Sequence, residues 1–287
     1  MMKLAIIGAR GALGSELARR LAPDRPGLFD LPQCDVTRPD SLDAALGATP
    51  YDAIINLASY NRVDDAERDP AQAIAVNAEG AGHLARLAAA RNTPVCYVST
   101  DYVFGSNADR RTPYTEADQP GPVNAYGRSK RAGEQQVLDA SPANLVVRTS
   151  SLFARVASRK GHSFPELMLD RAAAGEPIRV VNDQVMSPTF AADLAARLIE
   201  LVHRGARGIV HASNSGHCSW YEFAMEIFRQ AGLSPDLSAI SSAELGRAAT
   251  RPRYSVMACA RLDELGLAPL RPWPEALGDY LAGREGD

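Results

Sequence analysis

The fold is decided at residues 3–22, KLAIIGARGALGSELARRLA. KLAIIG is an almost unbroken apolar run rich in isoleucine, the pattern of a strand buried on both faces. LGSELARRLA carries apolar residues at helical spacing. Between the two stands GARGALG, with Gly8, Gly11 and Gly14 three apart. Glycine allows the tight turn and close packing of helix on strand. It also leaves bare backbone for a pyrophosphate to approach the unpaired amides of the helix N-terminus.

The alternation continues outward. DAIINLA, PVCYVS and NLVVRTS read as further buried parallel strands, and SLDAALG, AQAIAVNAEGAGHLARLAAAR and AYGRSKRAGEQQVL as helices. Strand alternating with helix specifies an α/β doubly wound parallel sheet of Rossmann type. We assign residues 1–150 to this NAD(P)-binding domain. Beyond it the pattern loosens: IRVV and GIVH read as short strands, and PTFAADLAARLIELVHRG, SWYEFAMEIFRQAG and PEALGDYLAG as helices. Residues 151–287 are expected to form mainly a smaller α/β substrate-binding lobe over the strand ends, with the helix near 188–204 packing back on the first sheet.

Composition narrows the function. A net charge of −3 without a basic tract argues against a nucleic-acid surface. Cys34, Cys96, Cys218 and Cys259 are scattered, as free thiols of a reducing compartment are. His211, His217 and Cys218 lie close in sequence without making a ligand set, so no metal site is assigned and nothing locates a divalent ion. The apolar run of MMKLAIIG is too short for a signal peptide, and no stretch reaches the ~18 apolar residues of a membrane span. A soluble cytoplasmic protein is expected. A homodimer is compatible with the sequence, which does not fix the oligomeric state.

Two residues bear on the cofactor. Asp30, in GLFDL, ends the second predicted strand, where a carboxylate accepts hydrogen bonds from the ribose hydroxyls of NAD and repels the 2′-phosphate of NADP. Arg10, inside the glycine loop, offers a guanidinium to that same phosphate. The two pull in opposite directions; the reading leans to NADPH, with NADH usable.

The stretch NAYGRSKRAGEQ (124–135) carries the chemistry. Of 31 basic residues only Lys3, Lys130 and Lys160 are lysines, and Lys130 lies four after Tyr126, on one helix face. A tyrosine, with its usual pKa of about 10, is a poor acid–base catalyst until a nearby cation favours the phenolate. A compact ammonium does this and also donates to ribose hydroxyls, which a guanidinium does less well. Upstream, PVCYVS runs into Thr100, Asp101 and Tyr102, which puts a hydroxyl at a strand's C-terminal end, where doubly wound sheets bind ligands.

Glycine loop, strand-end threonine and Tyr/Lys pair, in this order, resemble an extended short-chain dehydrogenase/reductase. The likeness narrows at STDYVF (99–104), VNDQVMSPTF (181–190), RPRYSV (251–256) and RPWPEAL (271–277), which are similar to the dTDP-4-dehydrorhamnose reductase family over nearly the whole chain. That resemblance implies reduction, by NADPH or NADH, of the C4 ketone of a nucleotide-linked 6-deoxy-4-ketohexose for surface polysaccharides. It gives Tyr126 the proton, Lys130 the cofactor ribose and the tuning of Tyr126, Thr100 the ketone, and Asp101 a share in seating the sugar. It gives Gly11, Ala12 and Leu13 to the pyrophosphate, Asp35 and Val36 to the adenine, and Leu57, Ala58 and Ser59 to the nicotinamide side. Asn77 would support the lysine, and Arg251 and Arg253 are candidates for the nucleotide-sugar diphosphate.

One position departs from the pattern. The residue after RTS is often tryptophan in rhamnose-making members, and here it is Ser151. This leaves the hexose open, so another dTDP-4-keto-deoxysugar is the alternative substrate. Two other classes are weighed against reduction. A dehydratase needs a second carboxylate after the threonine, where Tyr102 stands, and no extra acid–base pair for an epimerase is found. A regulatory subunit of methionine adenosyltransferase resembles the same family and acts by binding a partner.

Overall fold

The computed structural model describes residues 2–155 and 163–283. Its main sheet has six parallel strands. Five are labelled here: β1 (Leu4–Ile7), β2 (Gly27–Phe29), β3 (Ala53–Asn56), β4 (Val95–Thr100) and β5 (Leu145–Thr149). The sixth is Gly208–His211, and the order across the sheet is sixth, β5, β4, β3, β1, β2. β1 and β3 are buried along their whole length, as their unbroken apolar runs require. The sixth strand was read from sequence within the second lobe; it instead extends the sheet beside β5.

Helices cover both faces. On one, Leu13 and Leu17 of α1 (Ala12–Arg20) pack with Leu194, Leu198 and Leu201 of the helix Ala191–His203. On the other, Leu42 and Leu46 pack with Leu84 and Ala88. The long helical run read at 71–91 is interrupted by a π-helical turn, Ala75–Gly80, around Asn77. Such turns are frequent at functional sites.

A second core gathers Phe153, Phe190, Phe223, Trp273 and Tyr280, with Phe153 stacked on Phe190 at 5.4 Å. Its strands are short: Leu237–Ile240 pairs in parallel with Ile178–Val181. The helix Trp220–Gln230 starts from a capping box of Ser219 and Glu222. From this side residues 250–257 return to the connection between β4 and the helix Ala125–Ala140, where the Tyr114 N–H donates to Val256 O (2.8 Å) and Asn124 Nδ2 to Thr250 O (2.7 Å). No helix among the described residues is long and apolar enough to cross a membrane.

Candidate active site

Strand order reverses between β1 and β3, so the crevice of the sheet opens at their C-terminal ends. Gly8 turns there with φ +86°, a conformation L side chains rarely adopt. A Cβ on Gly14 would strike the Gly8 carbonyl and the Ala9 backbone, so packing alone demands that glycine. Gly11 differs: a Cβ there would meet only Gly8 O, at an ordinary 3.4 Å. The protein does not need Gly11 for its own packing, and the first turn of α1, around Ala12 and Leu13, has no side-chain cap. Bare space at uncapped amides fits a pyrophosphate. Leu57 and Ala58 border the same turn, where a Cβ on Gly8 would lie 3.0 Å from the Leu57 carbonyl carbon.

Asp30 and Arg10 meet in one loop. The Asp30 carboxylate accepts from the Arg10 N–H (2.8 Å) and the Leu31 N–H (2.8 Å), while the exposed Arg10 guanidinium donates to Leu31 O (3.4 Å). Asp35 accepts from the Thr37 N–H (3.0 Å) and hydroxyl (2.7 Å), and the buried Val36 packs against Gly80.

The helix Ala125–Ala140 is started by Asn124, whose side chain accepts from the Gly127 N–H. Gly133 lets it press against the π-turn, since a Cβ would overlap the Asn77 carbonyl. Tyr126 therefore reaches the end of β4. Burial raises its pKa to about 12, while the neighbouring hydroxyls of Thr100 and Ser59 work the other way. Lys130, 1% exposed, donates to Val98 O (2.7 Å) and sits 4.0 Å over the Tyr97 ring. Burial brings its pKa down to about 7, partly offset by the negative charge of Glu134. The sequence gives the tuning of Tyr126 to Lys130, but here the groups that lower it are hydroxyls. Asn77 holds Tyr60 and Ser129 with its side chain, and its carbonyl accepts from the Tyr97 hydroxyl (2.8 Å). It thus reaches the lysine through the ring beneath it.

Two assignments look different in three dimensions. Asp101 does not face open space: its carboxylate accepts from Ser150 (2.8 Å), Ser255 (2.6 Å) and Thr100 (3.1 Å), and burial raises its pKa to about 6. Arg251 makes a two-pronged ion pair with Asp64 (2.6 and 2.7 Å), which holds that carboxyl well below the usual carboxylate range. Arg253 is exposed. Ser151 follows β5 with φ +44°, beside the exposed Leu152.

Sequence reasoning missed the network beneath the site. Glu134 and Arg148, both within 1% of fully buried, form two parallel bonds of 2.8 Å. Arg148 also approaches His211 Nε2 (3.4 Å), whose pKa burial and that guanidinium push down to about 3. An arginine inside the apolar run NLVVRTS was the available signal, because a charge in a central strand requires a partner. Tyr102, edge-on to Tyr126 at 5.8 Å, was also left without a role.

A doubly wound sheet with a Tyr/Lys helix beside a strand-end threonine defines an extended short-chain dehydrogenase/reductase. Comparison with known proteins places the chain within that class. It belongs to the family described as the RmlD substrate binding domain, whose model matches residues 2–285. It is 44% identical over 281 residues (96% of this chain, 93% of the relative) to a probable dTDP-4,6-dihydroxy-2-methyloxan-3-one 4-ketoreductase of Streptomyces antibioticus. A dTDP-4-dehydrorhamnose reductase of Mycolicibacterium smegmatis is 41% identical (98% of this chain, 85% of the relative). The crystal structure of Bacillus anthracis dTDP-4-dehydrorhamnose reductase in complex with NADP superposes with a TM-score of 0.92 at 34% identity, covering 98% of this chain and 99% of that one.

Proposed function

We propose that the protein reduces the C4 ketone of a dTDP-linked 6-deoxy-4-ketohexose with NADPH or NADH. The leading substrate is dTDP-4-dehydro-L-rhamnose, and the NADP in the Bacillus anthracis structure supports the lean to NADPH. The observation that carries the reading is the meeting of Thr100 and Tyr126 at the end of β4, with Lys130 one turn behind. The bound nicotinamide would supply hydride. The amides of Gly11, Ala12 and Leu13 would hold its pyrophosphate, with Asp35 and Val36 on the adenine side and Leu57 to Ser59 on the nicotinamide side. Lys130 would hold the ribose.

Tyr126 acts as the acid. A phenol with pKa near 12 stays protonated at neutral pH, which is the form needed to protonate an alkoxide as it develops. Thr100 has a single O–H, now given to Asp101, and turns it to the ketone; Ser150 and Ser255 still satisfy the carboxylate. Proton transfer of this kind is worth roughly 10²–10⁴ in rate. A second substrate reading has its own support. Ser151 and the 4-ketoreductase activity for which the Streptomyces antibioticus relative is named both favour a different dTDP-4-keto-deoxysugar.

The test is nicotinamide absorbance with dTDP-4-keto-L-rhamnose and either cofactor, for wild type and Tyr126→Phe. Oxidation that falls by roughly 10²–10⁴ in the variant is expected. Undiminished oxidation in the variant removes Tyr126 as the acid. Cofactor binding without oxidation moves the search to other 4-keto sugars; failure with all of them favours a binding subunit.

A further inference from the structure

Tyr126, Lys130 and Glu134 follow one another at intervals of four on the helix Ala125–Ala140, so they line one face of it. Nothing above gives Glu134 a function, yet it is a fully buried carboxylate with four donors around it. Two come from Arg148 on β5, one from Ser99 on β4 (2.7 Å) and one from Arg131 on its own helix (3.2 Å). Ser99 immediately precedes Thr100, and Arg148 immediately precedes Thr149, which lies opposite Thr100 in the sheet. One carboxylate therefore ties the helix that carries Tyr126 and Lys130 to both strands that end at the site.

Its charge also has an address. Among the described residues no carboxylate is bonded to Lys130; its ammonium rests on the Val98 carbonyl and the Tyr97 ring. Other charges around this helix are turned elsewhere. Glu67 accepts from the Ala125 N–H and pairs with Arg128, Asp101 is engaged by three hydroxyls, Arg86 donates to Gln136, and Glu79 is exposed. Arg148 faces Glu134 from β5, and Tyr97 and Tyr126 bring only neutral phenols.

We propose that Glu134 is a positioning residue of this site: its carboxylate fixes the Tyr126–Lys130 face against the end of β4 and holds Lys130 as an ammonium. The proposal rests on the reading of Lys130 as the cofactor's ribose partner. A merely structural ion pair would secure the helix but leave the protonation of Lys130 unaffected. The positioning role predicts a lysine that loses its proton more easily once the carboxylate is neutralised.

The chain has only three lysines, so Lys130 can be watched directly. Protein labelled with ¹³C at lysine Cε is titrated by NMR, with the Lys130 signal assigned by its absence in Lys130→Arg. In Glu134→Gln the Lys130 midpoint is expected to fall by about one pH unit, since an opposite charge is removed. NADPH affinity at pH 8, read by nicotinamide fluorescence, is expected to fall several-fold, by roughly 3–10. If Glu134→Gln does not fold because Arg148 is left buried without its carboxylate, Glu134→Gln/Arg148→Met is compared with Arg148→Met, so that only the carboxylate differs, and the Lys130 midpoint is expected to be the lower in the double variant. Ser99→Ala keeps the charge and is expected to leave the midpoint in place. An unmoved Lys130 midpoint in a folded Glu134 variant overturns the proposal. Absence of sugar turnover in wild type counts against the proposed substrate, because neither the titration nor cofactor binding uses the sugar.

Discussion

The floor and the roof of the site are built on opposite terms. The floor lies at the ends of β4 and β5, where Asp101 is buried and surrounded by Thr100, Ser150 and Ser255. The roof joins the segment after β3 to residues 249–251 at Asp64, which makes a partly exposed ion pair with Arg251 and accepts from the Ala249 N–H (3.0 Å). Hydroxyl donors satisfy a carboxylate without neutralising it, so burial wins at Asp101 and its pKa rises. A guanidinium neutralises its partner, so at Asp64 the pairing wins and the pKa falls. The lesson is one of role. The floor is a fixed dry setting, whereas the roof is held by a partly exposed ion pair.

The largest test of this contrast is Thr100→Val, which keeps the shape of the floor and removes its hydroxyl. Loss of one donor to a developing oxyanion should lower kcat by about 10²–10³. Cofactor affinity measured by fluorescence should stay within about twofold, since the hydroxyl is assigned to the ketone alone.

The two aspartates should then separate by pH. Asp101 has a folded pKa raised to about 6, so it favours the folded state at low pH and that contribution is lost as pH rises through about 6. Asp64 has a depressed folded pKa. Its contribution is present above the usual carboxylate pKa of about 3.9 and is lost as pH falls below it. Asp101→Asn should therefore flatten the melting temperature of the variant between about pH 4 and 6, and Asp64→Asn should flatten it only below about pH 4. Parallel profiles for the two variants would break the comparison.

Smaller effects belong to the roof. Arg251→Met should lower stability by about 1 kcal/mol, the scale of a partly exposed pair. It should raise the sugar-nucleotide KM several-fold with kcat little changed. Ser151→Trp should have the smallest effect: a change of roughly 10-fold or less in the ratio of kcat/KM between two 4-keto sugars. An equal loss with both sugars would take Ser151 out of substrate choice.

Much of the floor was legible in sequence because its signals are local. KLAIIG leads into Gly8 within six residues, and Tyr126 and Lys130 are one helical turn apart. The partners of Asp101 and Arg251 were not, because Ser255 stands 154 residues from Asp101 and Arg251 stands 187 from Asp64. A lone sequence carries no record of such pairings. The sixth strand was misplaced for a related reason: GIVH has the right apolar pattern, but four residues cannot say which edge they join. Glu134 was hidden otherwise, since a glutamate on a helix usually points to water.

The long reach of Ser255 has a consequence for how the chain matures. β1 to β5 are complete by residue 149, and domains fold as units from the N-terminus during synthesis. The sixth strand and the helix Ala191–His203 that complete and cover this sheet also precede residue 255. Until that residue is made Asp101 lacks one of its donors, and residues 250–257 have not reached the connection between β4 and the helix Ala125–Ala140. The hydroxyl set around Asp101 is in this sense completed late in translation.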